Sequence, residues 1–186
     1  MSHRNARLID APTGRFRILN LVEIEIPGPW LWRCEDIDEQ DAKGVTFLGY
    51  PDLSEKPHVA SITVVDVSTD PTEPDISTMD ASGVSLLDER LEREVSQHWR
   101  DQGGRLVAWM GSHLNIQRTP PALLTAYTVG DHEKERQFIA MRILAGSRKV
   151  VMVGSFDVKE AALLARSIFS VLNGVSVLPT AFQTAL

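Results

Sequence analysis

This sequence of 186 residues lacks the motifs that usually identify an enzyme or a metalloprotein. It contains neither of the glycine-rich loops that bind phosphate, G-x-x-x-x-G-K and G-x-G-x-x-G, and no H-E-x-x-H zinc motif. No G-x-S-x-G elbow frames a serine nucleophile. We therefore predict a protein that is not an enzyme and that has no catalytic residues, no cofactor and no metal.

Cysteine is nearly absent, since Cys34 is the only one. A disulfide within the chain is therefore excluded, and a cysteine-based zinc site is not expected. We interpret Cys34 as a buried or half-buried structural thiol. The five histidines are scattered, and none lies three or four residues from another, so a helical pair of metal ligands is excluded as well.

The chain also lacks an excess of positive charge and a long apolar run. Its formal net charge is -6 at pH 7, and no run of lysine or arginine offers the basic face that nucleic acids require. The N-terminus lacks the apolar stretch of a signal peptide, and no segment approaches the roughly 20 apolar residues of a membrane span. We therefore predict a cytoplasmic protein that neither binds nucleic acid nor spans a membrane.

The pattern of apolar residues predicts a series of strands separated by turns. Val22, Ile24 and Ile26 alternate with Glu23 and Glu25, which is the period of a strand with one wet face. We interpret the two glutamates as solvent-exposed rather than as an acid–base pair. The predicted strands cover residues 16–26 (one strand or a bent pair), 45–50, 59–67, 106–116, 123–129, 137–144 and 150–153.

Two stretches predict helices. Apolar residues recur every fourth position from Leu87 to Trp99, which predicts an amphipathic helix over residues 85–102 with Ser85 as its cap. A second apolar stripe predicts a closing helix over residues 159–172. The predicted loops are the acidic residues 35–43 and the exposed residues 68–82.

Short turns between most strands imply antiparallel pairing, because antiparallel neighbours can be joined by a tight hairpin. We predict an α+β fold: an antiparallel sheet of about six to seven strands with two main helices, arranged as an αβα-type sandwich. The predicted single domain covers residues 15–174. Residues 1–14 are predicted to form a loose arm, and residues 175–186 a poorly ordered tail.

Several anchor residues resemble those of a known superfamily. A predicted strand ends in Ile26-Pro27-Gly28-Pro29-Trp30, a P-x-x-W-like corner. A later strand running from Pro121 to Thr128 contains Tyr127, and the last helix closes with Ile168-Phe169-Ser170-Val171-Leu172. Over residues 15–174 this order of elements resembles the superfamily of the photosystem PsbP protein, the Mog-type Ran-binding protein and the bacterial DcrB proteins.

The resemblance implies a protein-binding role, because the superfamily has no common enzyme activity and its members bind other proteins. DcrB-type relatives include chaperones that shield hydrophobic segments of type VI secretion effectors, often as dimers. The resemblance therefore implies an adaptor or chaperone that binds another protein carrying a hydrophobic segment and that can form a homodimer.

Four residues are predicted to line an apolar groove on the sheet where a partner binds: Trp109, Met110, Tyr127 and Met141. Trp109 has two interpretations, because it is a core residue if helices cover both faces of its strand and it flanks a binding surface if one face is open.

Two other functional hypotheses stay open at this point. The net negative charge and the acidic residues 35–41 are what an immunity or inhibitor protein would use to attract a basic toxin. An enclosed pocket with convergent polar groups would instead indicate a small-ligand binder or an uncharacterised enzyme.

Overall fold

The structure is a computed structural model that describes residues 6–9, 14–26, 30–39, 42–52, 57–67, 75–131, 134–145 and 148–179. The strands are β1 (Ala6–Ile9), β2 (Gly14–Ile18), β3 (Val22–Ile26), β4 (Leu31–Glu39), β5 (Ala42–Tyr50), β6 (Ala60–Val67), β7 (Arg105–Asn115), β8 (Ala122–Gly130), β9 (Glu135–Ala145), β10 (Arg148–Asp157) and β11 (Ser176–Val177). The helices are α1 (Ala81–Asp101) and α2 (Ala161–Gly174), and short 3-10 turns span Ile76–Thr78 and Val158–Glu160.

The larger of the two sheets is antiparallel throughout, in the order β1-β4-β5-β6-β10-β9-β8-β7. The two halves of the chain meet where β6 pairs with β10, for example Val64 with Met152. Strands β4, β5 and β6 pair in the order of the sequence, and so do β7, β8, β9 and β10. The predicted α+β class, with an antiparallel sheet and two main helices, is therefore confirmed. The sheet contains eight strands because β1 adds an edge strand.

The smaller sheet, in the order β11-β3-β2, is built on a tight hairpin. Leu19 and Asn20 both have positive φ angles, of 54° and 56°, as the two central residues of a type I′ turn require. The sequence left open whether residues 16–26 form one strand or a bent pair, and the structure shows the hairpin β2–β3. Cross-strand ion pairs join Arg15 to Glu25 at 3.5 Å and Arg17 to Glu23 at 3.3 Å, so the wet face of this hairpin is the predicted one.

One face of the large sheet, which we call the inner face, is covered by α2 and by the small sheet. Ile62 and Val64 of β6 and Met152 of β10 point to this side and are buried. α2 lies against β10 at Gly154, where the missing side chain leaves room for Ile168. Burial of this apolar surface is the dominant favourable term in folding.

The opposite face, which we call the outer face, is covered at one edge by α1. This helix packs mainly on β7, and its residues Leu87 and Leu91 form a second, smaller core with Leu123 of β8. The helix begins at Ala81 rather than at residue 85, because Asp80 caps it by accepting a hydrogen bond of 2.8 Å from the Gly83 amide. Ser85 is therefore inside the helix and not its cap.

Three other predictions of local structure are corrected. The acidic segment predicted as a loop lies largely in strands, since residues 35–39 belong to β4 and residues 42–43 to β5, and Asp36 pairs with Val45. Residues 6–9, predicted as part of a loose arm, pair with β4, and residues 176–177 of the predicted tail pair with β3. In each case pairing with distant strands outweighs the weak local preference. Residues 68–74 of the predicted exposed loop and residues 180–186 of the tail lie outside the described residues.

Neither described helix is long and apolar enough to cross a bilayer.

A partly open sheet face as the candidate functional site

The candidate functional site is the part of the outer face that α1 leaves uncovered. Thr46, Thr63, Val65, Val151 and Val153 are neighbours there across β5, β6 and β10, and each is partly exposed. We call these five residues the outer band. Along β6 and β10 their inward-pointing neighbours are buried, so these strands alternate between a closed inner face and a partly open outer face. The outer band is a partly exposed surface of β-branched side chains, three of them valines.

A row of aromatic rings crosses the outer face from β7 to β9. Trp109 of β7 stacks on Tyr127 of β8 at 5.7 Å between ring centroids, and Tyr127 stacks on Phe138 of β9 at 5.2 Å. Trp99, near the end of α1, contacts Phe138 with a centroid distance of 5.5 Å. We call these four residues the aromatic row. They hold α1 against the sheet, since aromatic pairs in such geometry add stability beyond the area they bury.

Trp109 belongs to this packing rather than to an open surface. Its indole N–H donates to both carboxylate oxygens of Asp88 in α1, at 3.1 Å each, and its ring lies against the smaller core. Burial raises the pKa of Tyr127, while the positive charge of Arg142 acts in the opposite direction. Of the two interpretations of Trp109, the structure therefore supports the core one.

The four residues predicted to line a groove do not come together. Trp109 and Tyr127 are neighbours on the outer face, beneath α1. Met110 is 53% exposed, but its sulfur accepts a hydrogen bond from Gln137, which points to the inner side of β9. Met141 is 0% exposed in the main core and offers no surface to a partner. The four residues therefore do not line one shared groove, and a binding role for Trp109, Met110 or Tyr127 stays a prediction.

A polar chain closes the outer band at the end near the start of β6. The hydroxyls of Ser61 and Ser155 are 2.8 Å apart, and Ser155 accepts a hydrogen bond of 3.0 Å from the Arg136 guanidinium. Arg136 also donates to the backbone carbonyls of His58 and Val59, at 3.3 and 3.5 Å. Burial lowers the pKa of Arg136, and Asp157 opposes this shift. Burial also lowers the pKa of His58, and the charge of Arg136 acts in the same direction.

Next to this polar chain lies a recess of about 310 Å³, which we call the end pocket. Its walls come from the end of α1 at Trp99 and from Pro57 and His58 before β6. Val129 and Arg136, from the β8–β9 hairpin, also line it. A larger recess of about 540 Å³ lies between α2 and β3.

The geometry offers no arrangement of metal ligands within the described ranges, where no three His, Cys, Asp or Glu side chains lie close enough to hold an ion. Cys34 is half-buried against the main core, as the sequence predicted.

Comparison with known proteins gives a likeness of fold. No protein-family model and no curated protein matches the chain. Among solved structures it is similar to cyanobacterial PsbP (CyanoP) from Synechocystis sp. PCC 6803, with a TM-score of 0.63 and 14% sequence identity over 90% of this chain and 93% of that one. The chain has a PsbP-like fold. It is also similar to LpqN, described as involved in cell envelope biogenesis of Mycobacterium tuberculosis, with a TM-score of 0.47 and 11% identity over 96% of this chain and 93% of that one.

The PsbP part of the predicted resemblance is thus confirmed at the level of fold. Resemblance to the Mog-type and DcrB proteins stays a prediction. At this low sequence identity a PsbP-like fold does not define a function, because one fold can carry many unrelated sites.

Sequence reasoning missed the residues that make up the candidate site. The strand 59–67 was predicted correctly, but its β-branched residues on both faces suggest a strand buried on both sides. Only the position of α1, displaced to the β7 edge, leaves Val65 and its neighbours partly exposed. Arg136 carried no signal either, since the predicted strand begins at residue 137, whereas β9 begins at Glu135 and includes Arg136.

Proposed function

We propose that this protein is a non-enzymatic binding module that holds an apolar segment of another protein against the outer band. The observation that carries the proposal is the row of Val65, Val151 and Val153, which are partly exposed in the middle of a sheet. Contiguous apolar surface of this kind is typical of protein interaction sites. Burial of apolar area stabilises such a contact by about 25 cal/mol per Å² before the costs of association are subtracted.

The rim of the outer band would add selectivity to this apolar contact. Arg33 and Glu35 of β4 form an ion pair at 3.0 Å on one side, and Arg142 of β9 lies on the other. Polar rims around an apolar centre are usual in protein interfaces, where they favour some partners over others. A partner segment with apolar residues in its centre and polar residues at its ends would fit this arrangement.

Within this proposal, the resemblance to DcrB-type proteins favours an adaptor or chaperone that shields a hydrophobic segment, such as one in a type VI secretion effector. A cytoplasmic location and a homodimeric state belong to the same proposal. Light scattering on the purified protein measures the oligomeric state directly, since a single species at the mass of one 20.6 kDa chain would exclude the dimer.

The test places charge on the outer band. The double variant Val65→Glu/Val153→Glu is expected to lose partners that the wild-type protein captures from a lysate of its source. Leu163→Glu is the matched control, because Leu163 is 59% exposed on α2, on the other side of the molecule. A partner retained by wild type and by the control, and lost by the double variant, is then purified and its binding measured by calorimetry.

Two results would contradict this proposal. One is capture of the same partners by the double variant and by the wild-type protein. The other is loss of the partners in the Leu163→Glu control as well. The two glutamates repel each other on one sheet face and can destabilise the fold. An uncharged double variant, Val65→Thr/Val153→Thr, is therefore measured beside the first. Circular dichroism confirms that each variant is folded before its binding is compared.

The hypothesis of an acidic inhibitor has less support from the fold. Its acidic segment belongs to the β4–β5 hairpin, and Glu35 is already paired with Arg33. A captured partner that is strongly basic, and whose binding weakens steeply as salt rises, would nevertheless favour the inhibitor hypothesis over apolar docking.

A further inference from the structure

The end pocket combines an apolar wall with a fixed positive charge. Its volume of about 310 Å³ lies at the lower end of the range of about 300–1,000 Å³ that is usual for small-molecule sites. Trp99, Val129 and Pro57 contribute apolar or aromatic surface, and Arg136 lines the same recess. Small-molecule sites commonly pair a mostly apolar lining with a few placed polar groups.

Arg136 is held in place by neutral acceptors. Its guanidinium donates to the carbonyls of His58 and Val59 and to the Ser155 hydroxyl. These bonds use three of the five N–H groups of a guanidinium, so two donors remain for a ligand. The side chain is therefore fixed in advance, and a ligand would not have to bear the cost of ordering it.

The charge of Arg136 has no carboxylate in direct contact within the described part of the chain. Asp157 is its register partner on β10, but the Asp157 carboxylate accepts a hydrogen bond from the Lys159 amide and forms no ion pair with Arg136. A partly buried cation without a paired anion is costly, because it loses hydration without a full electrostatic replacement. An anion that entered the pocket would reduce this cost.

Among the described residues that line the pocket, the acidic one is Asp131. At the rim, Lys134 and Asp131 carry opposite charges, and the Asp131 side chain accepts a hydrogen bond from the Lys134 amide. The last carbonyls of α1 are also occupied, since Trp99 O accepts from the Gly104 amide at 2.8 Å. Arg136 is the lining cation that hydrogen bonds hold in a fixed position, and Lys134 adds a second positive charge to the lining.

We propose that the end pocket is a binding site for a monocarboxylate with an apolar or aromatic body, in which the carboxylate binds Arg136 and the body lies against Trp99. A charge-assisted hydrogen bond from a guanidinium N–H to a carboxylate oxygen is stronger than one between neutral groups, and one fixed guanidinium in a mostly apolar recess suits a single negative charge better than the two of a phosphate. The carboxylate can belong to a small organic acid or to the C-terminus of a peptide, and the two sources share this chemistry. The site is separate from the outer band and does not depend on its function.

The experiment uses phenylacetate as the probe and phenylacetamide as its uncharged counterpart. Proton–nitrogen NMR spectra of the wild-type protein resolve the tryptophan indole N–H groups and the arginine Nε–H groups. Phenylacetate at millimolar concentration is expected to shift the signals of Trp99 and Arg136, while phenylacetamide leaves them unchanged. The indole N–H of Trp109, which donates a hydrogen bond to Asp88 and does not line the end pocket, serves as an internal reference whose signal should not shift.

Variants then test the role of the charge. Arg136→Gln is expected to weaken phenylacetate binding by about tenfold or more, because it removes the positive charge and its charge-assisted hydrogen bond to the carboxylate. Arg15→Gln is the matched control, since its side chain is 74% exposed on β2, and it should leave the affinity within about twofold, the range expected of a distant surface site. If Arg136→Gln does not fold, two other measurements test whether Arg136 binds the carboxylate. These are the affinity of the Arg136→Lys variant for phenylacetate and the comparison of phenylacetate with phenylacetamide on the wild-type protein.

A tetrapeptide ending in phenylalanine, with a free or an amidated C-terminus, distinguishes the two sources. If the peptide with a free C-terminal carboxylate binds more tightly than phenylacetate, the site is assigned to the C-termini of peptides. If phenylacetate binds more tightly, the site is assigned to small organic acids. Equal binding of acid and amide forms would overturn the proposal, as would the absence of any shift at Trp99 and Arg136. Retention of full affinity in a folded Arg136→Gln protein would overturn it as well.

Discussion

Replacing Gly154 with alanine is expected to destabilise the contact between α2 and β10. A Cβ atom at this position would lie closer than 3.0 Å to Ile168 Cγ2, a separation that real Cβ atoms essentially never show, and 3.7 Å from Leu172 Cδ1. Ile168 is 0% exposed and Leu172 is 1% exposed, so neither can turn toward solvent. The helix must therefore shift outward or Ile168 must leave its preferred rotamer.

The expected loss is about 1–3 kcal/mol of unfolding free energy, the usual effect of overpacking a core. For a domain of this size that corresponds to a drop in melting temperature of roughly 2–12 °C. Urea unfolding followed by circular dichroism measures the loss at constant temperature, provided that the transition is two-state. Gly174→Ala is the matched control, because an added Cβ there meets nothing within 4 Å.

A double-mutant cycle identifies the cause. Ile168→Ala alone should cost about 2–5 kcal/mol, because it leaves a cavity under α2. In the double variant Gly154→Ala/Ile168→Ala the new methyl group enters that cavity. The stability loss of the double variant should therefore be smaller than the sum of the two single-variant losses, by at least about 0.5 kcal/mol. Strict additivity, or a Gly154→Ala protein as stable as the wild type, would refute the close packing of α2 on β10.

Two further predictions concern His58 and Arg118. The folded protein lowers the pKa of His58 from its ordinary value of 6.5, so the unfolded chain takes up this proton first and the free energy of unfolding should fall as the pH decreases below 6.5. His58→Gln should reduce that fall, which urea unfolding at two pH values measures. The same pH dependence in wild type and variant would contradict the prediction. Arg118 donates to the carbonyls of Asn173 and Val175 at the end of α2. Arg118→Met should therefore lower the free energy of unfolding by about 2 kcal/mol and speed hydrogen exchange of the β11 amides. Unchanged exchange in β11 would show that these two bonds do not hold it in place.

The extent to which the sequence predicts this fold differs between its local and distant features. The strand over residues 59–67 and both amphipathic helices could be located, because each follows a clear period of two or of about four residues. The helix α1 begins four residues before the predicted start, because Asp80 rather than Ser85 caps it, and serine and aspartate are equally favourable cap residues. The acidic β4–β5 hairpin was missed because its charged residues are unfavourable in an isolated strand and are tolerated only through pairing on both sides.

The candidate site was less predictable than the fold. Trp109 and Tyr127 were correctly placed near each other in neighbouring strands, but the sequence could not show that α1 covers them. Met141 alternates with Ala140 and Arg142 in β9, and nothing local indicates which of these faces the main core. The choice of face depends on where α2 and the small sheet pack, which is a property of the whole chain.

The class of this protein follows from its sequence: an antiparallel α+β domain without the motifs of a known catalytic or metal site. Those features depend on local periodicity and on motifs of a few residues, so they can be read without knowing distant contacts. The packing of the whole chain sets three other features: α1 covers the β7 edge, Val65, Val151 and Val153 stay partly exposed, and Arg136 and Trp99 line one pocket. These outcomes depend on contacts between residues far apart in the chain, whose geometry is set by the packing of both helices on one sheet.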